Sequence, residues 1–423
     1  MRAVARFAAS VTAVVMIVGG TVGPAAAAAG DLDPGFGGGD GQVTSKFDSG
    51  SATVQALAVQ SDGKIVAGGS VDLSNANQAW VLVRYKPGGQ LDPTFGEGGR
   101  VVTDFTAGND VLEGLAILGN GKIVAGGHTT TMFAAVRYTN DGHLDHSFGG
   151  DGKVLVNFGS NFDGAYDMAK APGGKVVLAG EKDTGGGGGA SFALARLTSA
   201  GALDHTFDGD GKVVTPFPGF SAYGDDLIVH DDGSILMSGE LDSANPPEVG
   251  LAAYRPNGSL DPAFGDHGQK AVDVPMFPRG LVQLRSGKIV LAGSIVTGGP
   301  YDAALLRLKP VGDPDQSFGP GGLVTQDFGA SDYVEDLHRS GSGLVMAVGL
   351  DVVNHPDDRM AVVRLVANGA PDPAFGDQGV ARSTLQGGFA QAIAVQKDGR
   401  VLLGGSASGT TDDAMAVARF LAP

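Results

Sequence analysis

The chain has 423 residues, no cysteine and a formal net charge of −17. Disulfides, thiolate metal sites and a cysteine nucleophile are excluded, and so acidic a chain repels phosphate backbones, so no nucleic-acid partner is expected. Glycine, at 71 residues, is more than double its usual share of about 7%, yet apolar content stays at 42%. Many tight turns between many buried strands reconcile the two figures.

The first 29 residues differ from the rest. Arg2 and Arg6 precede an apolar stretch from Phe7 to Val22, and Pro24 and the run Ala25–Ala29 follow. That order of basic, apolar and small residues is the pattern of a secretory signal. Residues 1–29 are expected to be cleaved, which takes the charge from −17 to −19 by loss of two arginines. The mature chain, 30–423, is then expected to be secreted or held in the cell envelope, with no membrane insertion, as a monomer.

From residue 31 onward one motif occurs seven times. It reads DLDPGFGGGDGQV at 31–43, GGQLDPTFGEGGRVV at 88–102, HLDHSFGGDGKV at 143–154 and ALDHTFDGDGKV at 202–213. It returns as SLDPAFGDHGQK at 259–270, DPDQSFGPGGLV at 313–324 and APDPAFGDQGVA at 370–381. The turns begin near 32, 91, 144, 203, 260, 314 and 371, at spacings of 53 to 59 residues. Between them lie hairpin patterns such as ALAVQSDGKIVAGG (56–69) and GLAILGNGKIVAGG (114–127), two apolar runs joined by Asp-Gly or Asn-Gly. A third run follows, as in WVLVRY (80–85) and FAAVRY (133–138), and the strand after the glycine turn completes the unit.

Each unit thus holds four short strands whose inner runs are apolar on both faces. Seven such sheets, each covered by its neighbours, predict an all-β, seven-bladed β-propeller occupying 30–423 as one domain. An open solenoid, with rungs of about 20–30 residues, fits these longer units poorly. The first strand, GQVTSKF (41–47), is expected to join the last blade and close the ring. The pattern L-D-x-x-F-G-x-x-G-x-V, then D-G-K-I-V-x-A-G, then A-x-x-R-[YL], resembles the delta-60 repeats of exported bacterial proteins. That resemblance implies a propeller and no established general activity. Asp208 after Phe207, Pro314, Pro371 and Ala253 depart from the pattern.

Residues present in every copy are read as structural. Asp33, Asp92, Asp145, Asp204, Asp261, Asp315 and Asp372 are expected to accept turn amides. They are also expected to pair, bidentately, with strand arginines seven to eight residues earlier: Arg84, Arg137, Arg196, Arg307 and Arg364. Arg419 has no following turn, so its expected partner is Asp33 across the closure. The accompanying phenylalanines are expected to fill the space between blades.

Chemical motifs are few. The Gly-Lys pairs at 63–64, 121–122, 174–175 and 287–288 lack the Ser/Thr and the helix of a phosphate-binding loop. Asp208–Gly211 lacks the further oxygen ligands of a calcium loop, and no histidine spacing suits zinc. The non-repeating positions at the start of each inner strand are better candidates. These are Gln55, Glu113, Tyr166, Asp225, Arg279, Glu335 and Gln391, expected at the mouth of the central channel. Aromatic residues Phe162, Phe220, Tyr223, Phe277, Tyr301, Tyr333 and Phe389 fall beside variable loops on that face. The expected function is an exported, non-catalytic module binding a protein or surface glycan through the variable-loop face. The alternative is a carboxylate-based hydrolase or lyase at the channel mouth using Glu113, Asp225 and Glu335. No cofactor is expected, a divalent cation at the channel being the one candidate.

Overall fold

A computed structural model describes residues 27–73, 77–105, 108–185, 189–242, 247–296, 299–328, 331–341, 343–351, 359–408 and 412–422. The expected signal, up to residue 26, and parts of the variable loops lie outside the described residues. The described chain forms seven antiparallel four-stranded sheets. Strand β1 (Gln42–Ser45) is followed in the chain by β2 (Ala52–Val59), β3 (Ile65–Leu73), β4 (Asn77–Tyr85) and β5 (Arg100–Thr103). Strands β2 to β5 make the first blade, and five further blades repeat their order. The seventh contains Phe389–Val395, Val401–Ala407 and Ala414–Phe420, with β1 as its fourth strand. Gln42 to Ser45 pair antiparallel with Ala418 to Met415.

The core lies between blades. Seven apolar clusters each draw from two adjacent blades, and each holds one repeat phenylalanine: Phe36, Phe95, Phe148, Phe207, Phe264, Phe318 or Phe375. A glycine from the next blade closes over most of these rings. A Cβ added at Gly258, where φ is +90°, would stand 3.0 Å from the Phe207 ring. Positive φ and the close ring together account for glycine at that point of the turn.

Arginine and aspartate fasten the same joints. Arg84 Nε donates to Asp92 Oδ2 at 2.9 Å, and Arg196, Arg307 and Arg419 repeat the contact to Asp204, Asp315 and Asp33 at 2.7, 2.8 and 2.8 Å. Arg137 meets Asp145 at 2.5 Å and Arg364 meets Asp372 at 3.2 Å. The pairing differs from the bidentate form expected. The second aspartate oxygen is taken by the turn itself, as where Gly35 N donates to Asp33 Oδ1 at 2.8 Å. The second arm of the arginine reaches a carbonyl in the following blade, Pro256 for Arg196 and Pro87 for Arg419, both at 2.5 Å. The guanidinium also lies over the repeat phenylalanine, 4.4 Å from the Phe207 centroid for Arg196. Where Ala253 replaces the arginine, Asp261 instead meets the exposed Arg255 at 3.5 Å.

The hairpin lysines have a role as well. Lys122, Lys175 and Lys288 reach Asp145, Asp204 and Asp315 at 2.7 to 2.8 Å. Burial opposes ionisation of Asp92, but the Thr94 hydroxyl and amide, Arg84 and Lys64 outweigh it and hold the carboxyl down to about 2.

Candidate ligand site at the channel mouth

The seven inner strands all carry the same irregularity. Pairing with the second strand skips one residue, and the skipped residues are Gln55, Glu113, Tyr166, Asp225, Arg279, Glu335 and Gln391. An unpaired residue in a β-bulge is turned out of the ladder. Here all seven line one central cavity of about 530 Å³. The bulge also explains a glycine in the second strand. A Cβ at Gly69, Gly180 or Gly293 would stand 1.9 to 2.0 Å from a carbonyl of the inner strand. Blade 6 has Val348 opposite Val334 instead.

One residue deeper, blades 3, 4 and 6 carry Asp167, Asp226 and Asp336. Each accepts the amide of the neighbouring inner strand: Leu227 at 3.1 Å, Leu281 at 2.6 Å and Ile393 at 2.8 Å. Blades 2 and 5 have Gly114 and Gly280 there, and a Cβ would approach the Met168 and Leu337 nitrogens to 2.9 and 2.7 Å. Inner strands are therefore joined either by close approach or through a carboxylate. Burial pushes Asp167 and Asp226 up, with their mutual contact adding to the rise at Asp226.

At the mouth the polar residues form two groups. Ser70 Oγ donates to Gln55 Oε1 at 2.8 Å, and Gln55 Nε2 reaches Glu113 Oε2 at 3.5 Å. His128 Nε2 stands 3.8 Å from the other Glu113 oxygen and packs edge-on to Tyr166. Tyr166 donates to Glu181 Oε1 at 3.2 Å. Opposite, Arg279 Nη1 meets Asp225 Oδ1 at 2.6 Å. Burial pushes Asp225 up to about 7, Arg279 pulling it back and Glu240, Glu181 and Glu335 adding to the rise. Burial likewise takes Glu335 and Glu181 up to about 7 and raises Glu113 and Glu240. Asp225, Glu335, Glu240 and Glu113 all act on Arg279, and the field at the mouth becomes negative as these acids and Glu181 ionise.

Glu181 extends the site sideways. Its Oε2 is buried without a hydrogen-bond partner, and it also lines a groove of about 900 Å³ between blades 3 and 4. That groove adds Phe162, Phe220 and Tyr223 and the acids Asp183 and Asp242. Across the channel, half-buried Phe277, Tyr301, Tyr333 and Phe389 follow one another at centroid distances of 5.9, 5.2 and 6.1 Å. The sequence reading named the bulged residues and the aromatic ones. It missed Asp167, Asp226, Asp336, Glu181, Glu240 and His128. The signal for the inner aspartates was present in "YDM", "DDL" and "EDL", where an acid follows the mouth position inside an apolar run.

Among the described residues the exposed apolar side chains give no broad patch. The most exposed large ones among them are Val102, Leu155, Val214, Val296 and Val311. Three of these lie on the outer strands of three different blades, and single exposed residues of this kind are ordinary.

Segments 60–95, 118–148, 172–207, 230–264 and 284–318 match the family described as "Domain of unknown function (DUF5122) beta-propeller". No curated protein sequence matches the chain. Among solved structures the chain is similar to a catalytically inactive virginiamycin B lyase from Staphylococcus aureus with quinupristin. That alignment has 11% identity and a TM-score of 0.51, covering 89% of this chain and 98% of the other. It is also similar to the polysaccharide lyase Uly1, at 12% identity and a TM-score of 0.50, over 88% of this chain and 90% of that one. At these identities the likeness is one of fold alone.

Proposed function

We propose that this β-propeller is an exported binding module for an amine-bearing saccharide. The sugar would be held at the channel mouth and continue into the groove between blades 3 and 4. The observation that carries the reading is the pairing of two features on one face: carboxylates around an open cavity and half-buried aromatic rings beside them. Carboxylates accept hydrogen bonds from hydroxyl and ammonium groups, and aromatic faces take up the C–H face of a sugar or a cation. Glu181 lines the groove and accepts a hydrogen bond from the cavity residue Tyr166, and so links the two. The excess of acids over Arg279 favours a cationic ligand over a neutral one. A protein partner docking through an apolar face has less support, because the exposed apolar residues are scattered.

The test is calorimetric titration at pH 8 with N-trimethylated glucosamine oligomers, an amine form whose charge is permanent, and with N-acetylated oligomers. Binding of the amine form alone, lost in E113Q/E335Q, supports the reading. Equal binding of both forms, or of neither, contradicts it. The second reading, a carboxylate hydrolase or lyase, is favoured by Asp225 and Glu335, which are proton donors poised near neutral pH. Appearance of shortened oligomers in the same mixtures, abolished in E335Q, would support it over simple binding.

A further inference from the structure

We propose that Asp302, Asp327 and Asp332 form a divalent-cation site of calcium-binding chemistry where blade 5 meets blade 6. The proposal concerns different acids from those at the channel and does not rest on the saccharide reading. One carboxylate oxygen from each of the three lies within 4.8 Å of the others. Oxygens held 2.3–2.6 Å from a calcium ion can be no more than about 5 Å apart, so this spacing suits one shared ion.

Three separate segments bring the carboxylates together. Asp302 sits in the third strand of blade 5 (Tyr301–Leu308), Asp327 follows that blade's outer strand (Leu323–Gln326), and Asp332 opens the inner strand of blade 6 (Ser331–Ser340). Asp332 is fully buried. Its Oδ2 accepts the Phe328 amide at 2.8 Å, while its Oδ1 is buried with no hydrogen-bond partner. Asp163, at the same place in blade 3, shows the contrast. There Oδ2 accepts the Phe158 amide at 2.9 Å and Oδ1 takes the Ser160 hydroxyl. A buried carboxylate oxygen without a donor is costly, and a cation shared with Asp302 and Asp327 would satisfy it.

The donor set is all oxygen, which selects a hard cation over zinc or copper. Asp327 is exposed and Asp302 half-buried, so water can complete the shell from outside. Calcium tolerates an irregular, partly hydrated shell better than magnesium does. Tyr301 and Tyr333 are the chain neighbours of Asp302 and Asp332, and their rings are 5.2 Å apart. The ion would therefore fix two rings of the aromatic row as well as the joint between blades.

The probe is calcium chloride added to the full mature chain after EDTA treatment. Calorimetry should show one Ca²⁺ per chain. The midpoint of thermal unfolding should rise by about 3 °C at a hundredfold excess over Kd, taking the linkage relation and the average unfolding entropy per residue. D302N/D327N, which removes only partly exposed groups, should fold normally and bind calcium at least tenfold more weakly. Terbium bound in place of calcium should luminesce on tyrosine excitation and lose most of that signal in Y301F/Y333F. No calcium binding at 10 mM would overturn the proposal, a concentration of about the weakest known modules times ten. So would calcium binding that D302N/D327N leaves unchanged, or magnesium binding tighter than calcium.

Discussion

Arg419 tests the joint between the two ends of the chain. Its side chain is buried, donates to Asp33 at 2.8 Å and to the Pro87 carbonyl at 2.5 Å, and covers the Phe36 ring at 4.6 Å. Arg419→Ala removes all three contacts and leaves Asp33 Oδ2 with only the half-exposed Arg400, 3.3 Å away, while Oδ1 keeps the Gly35 amide. Breaking a buried pair by deleting one partner costs roughly 3–5 kcal/mol, and Arg400 keeps the value near the lower end, about 3 kcal/mol. A chain of about 390 folded residues has an unfolding entropy of about 0.8 kcal/mol/K, so the midpoint should fall by about 4 °C. Differential scanning calorimetry at pH 7 reads this directly, with the exposed Arg382→Ala as a control that should stay within about 1 °C. A midpoint for R419A indistinguishable from that of the control would refute the reasoning, since the ring would then be held without this joint.

Other outcomes follow from the same geometry. Phe207→Ala should cost about 3–5 kcal/mol by opening a cavity between blades 3 and 4, measured by urea unfolding. Gly258→Ala, forced to a positive φ against the Phe207 ring, should cost about 1–3 kcal/mol in the same assay. Asp92 has its carboxyl held down to about 2 against an ordinary 3.8. Its stabilising effect should be complete above pH 4 and disappear as the pH falls through 2, and Asp92→Asn should flatten that acid limb. Glu335 has the opposite sign. Its carboxyl is raised to about 7 from 4.5, so ionisation should cost stability as the pH rises from 4.5 through 7. Glu335→Gln should accordingly raise the unfolding midpoint at pH 8 and leave it unchanged at pH 4.

The fold was legible because the glycine turn is written seven times. The Asp-Phe-Gly turn gave the blade count, and the arginine of the third strand gave its partner, including Arg419 with Asp33. The bidentate form expected for that pair was not realised. Each aspartate oxygen has a separate task, and the arginine's other arm holds the next blade, a contact about 56–62 residues away that no local pattern displays. The channel-mouth residues were found as the variable members of a repeated frame. What a linear reading did not show was the bulge that turns them outward, although glycines such as Gly69 and Gly293 are its imprint. Asp302, Asp327 and Asp332 were missed for a different reason. They come from three separate segments, and nothing in their sequence spacing announces that the ring brings them together.

The saccharide reading is tested most directly by affinity measured against pH. Calorimetric titration of the mature chain with an N-trimethylated glucosamine oligomer, whose charge does not change with pH, at pH 8 and at pH 6, compares the mouth with Asp225, Glu335 and Glu181 ionised and with most of that charge removed. The account predicts binding at pH 8 that weakens at least tenfold at pH 6 and becomes less dependent on pH in E335Q. Binding equally tight at both values, or no binding at pH 8, would contradict it.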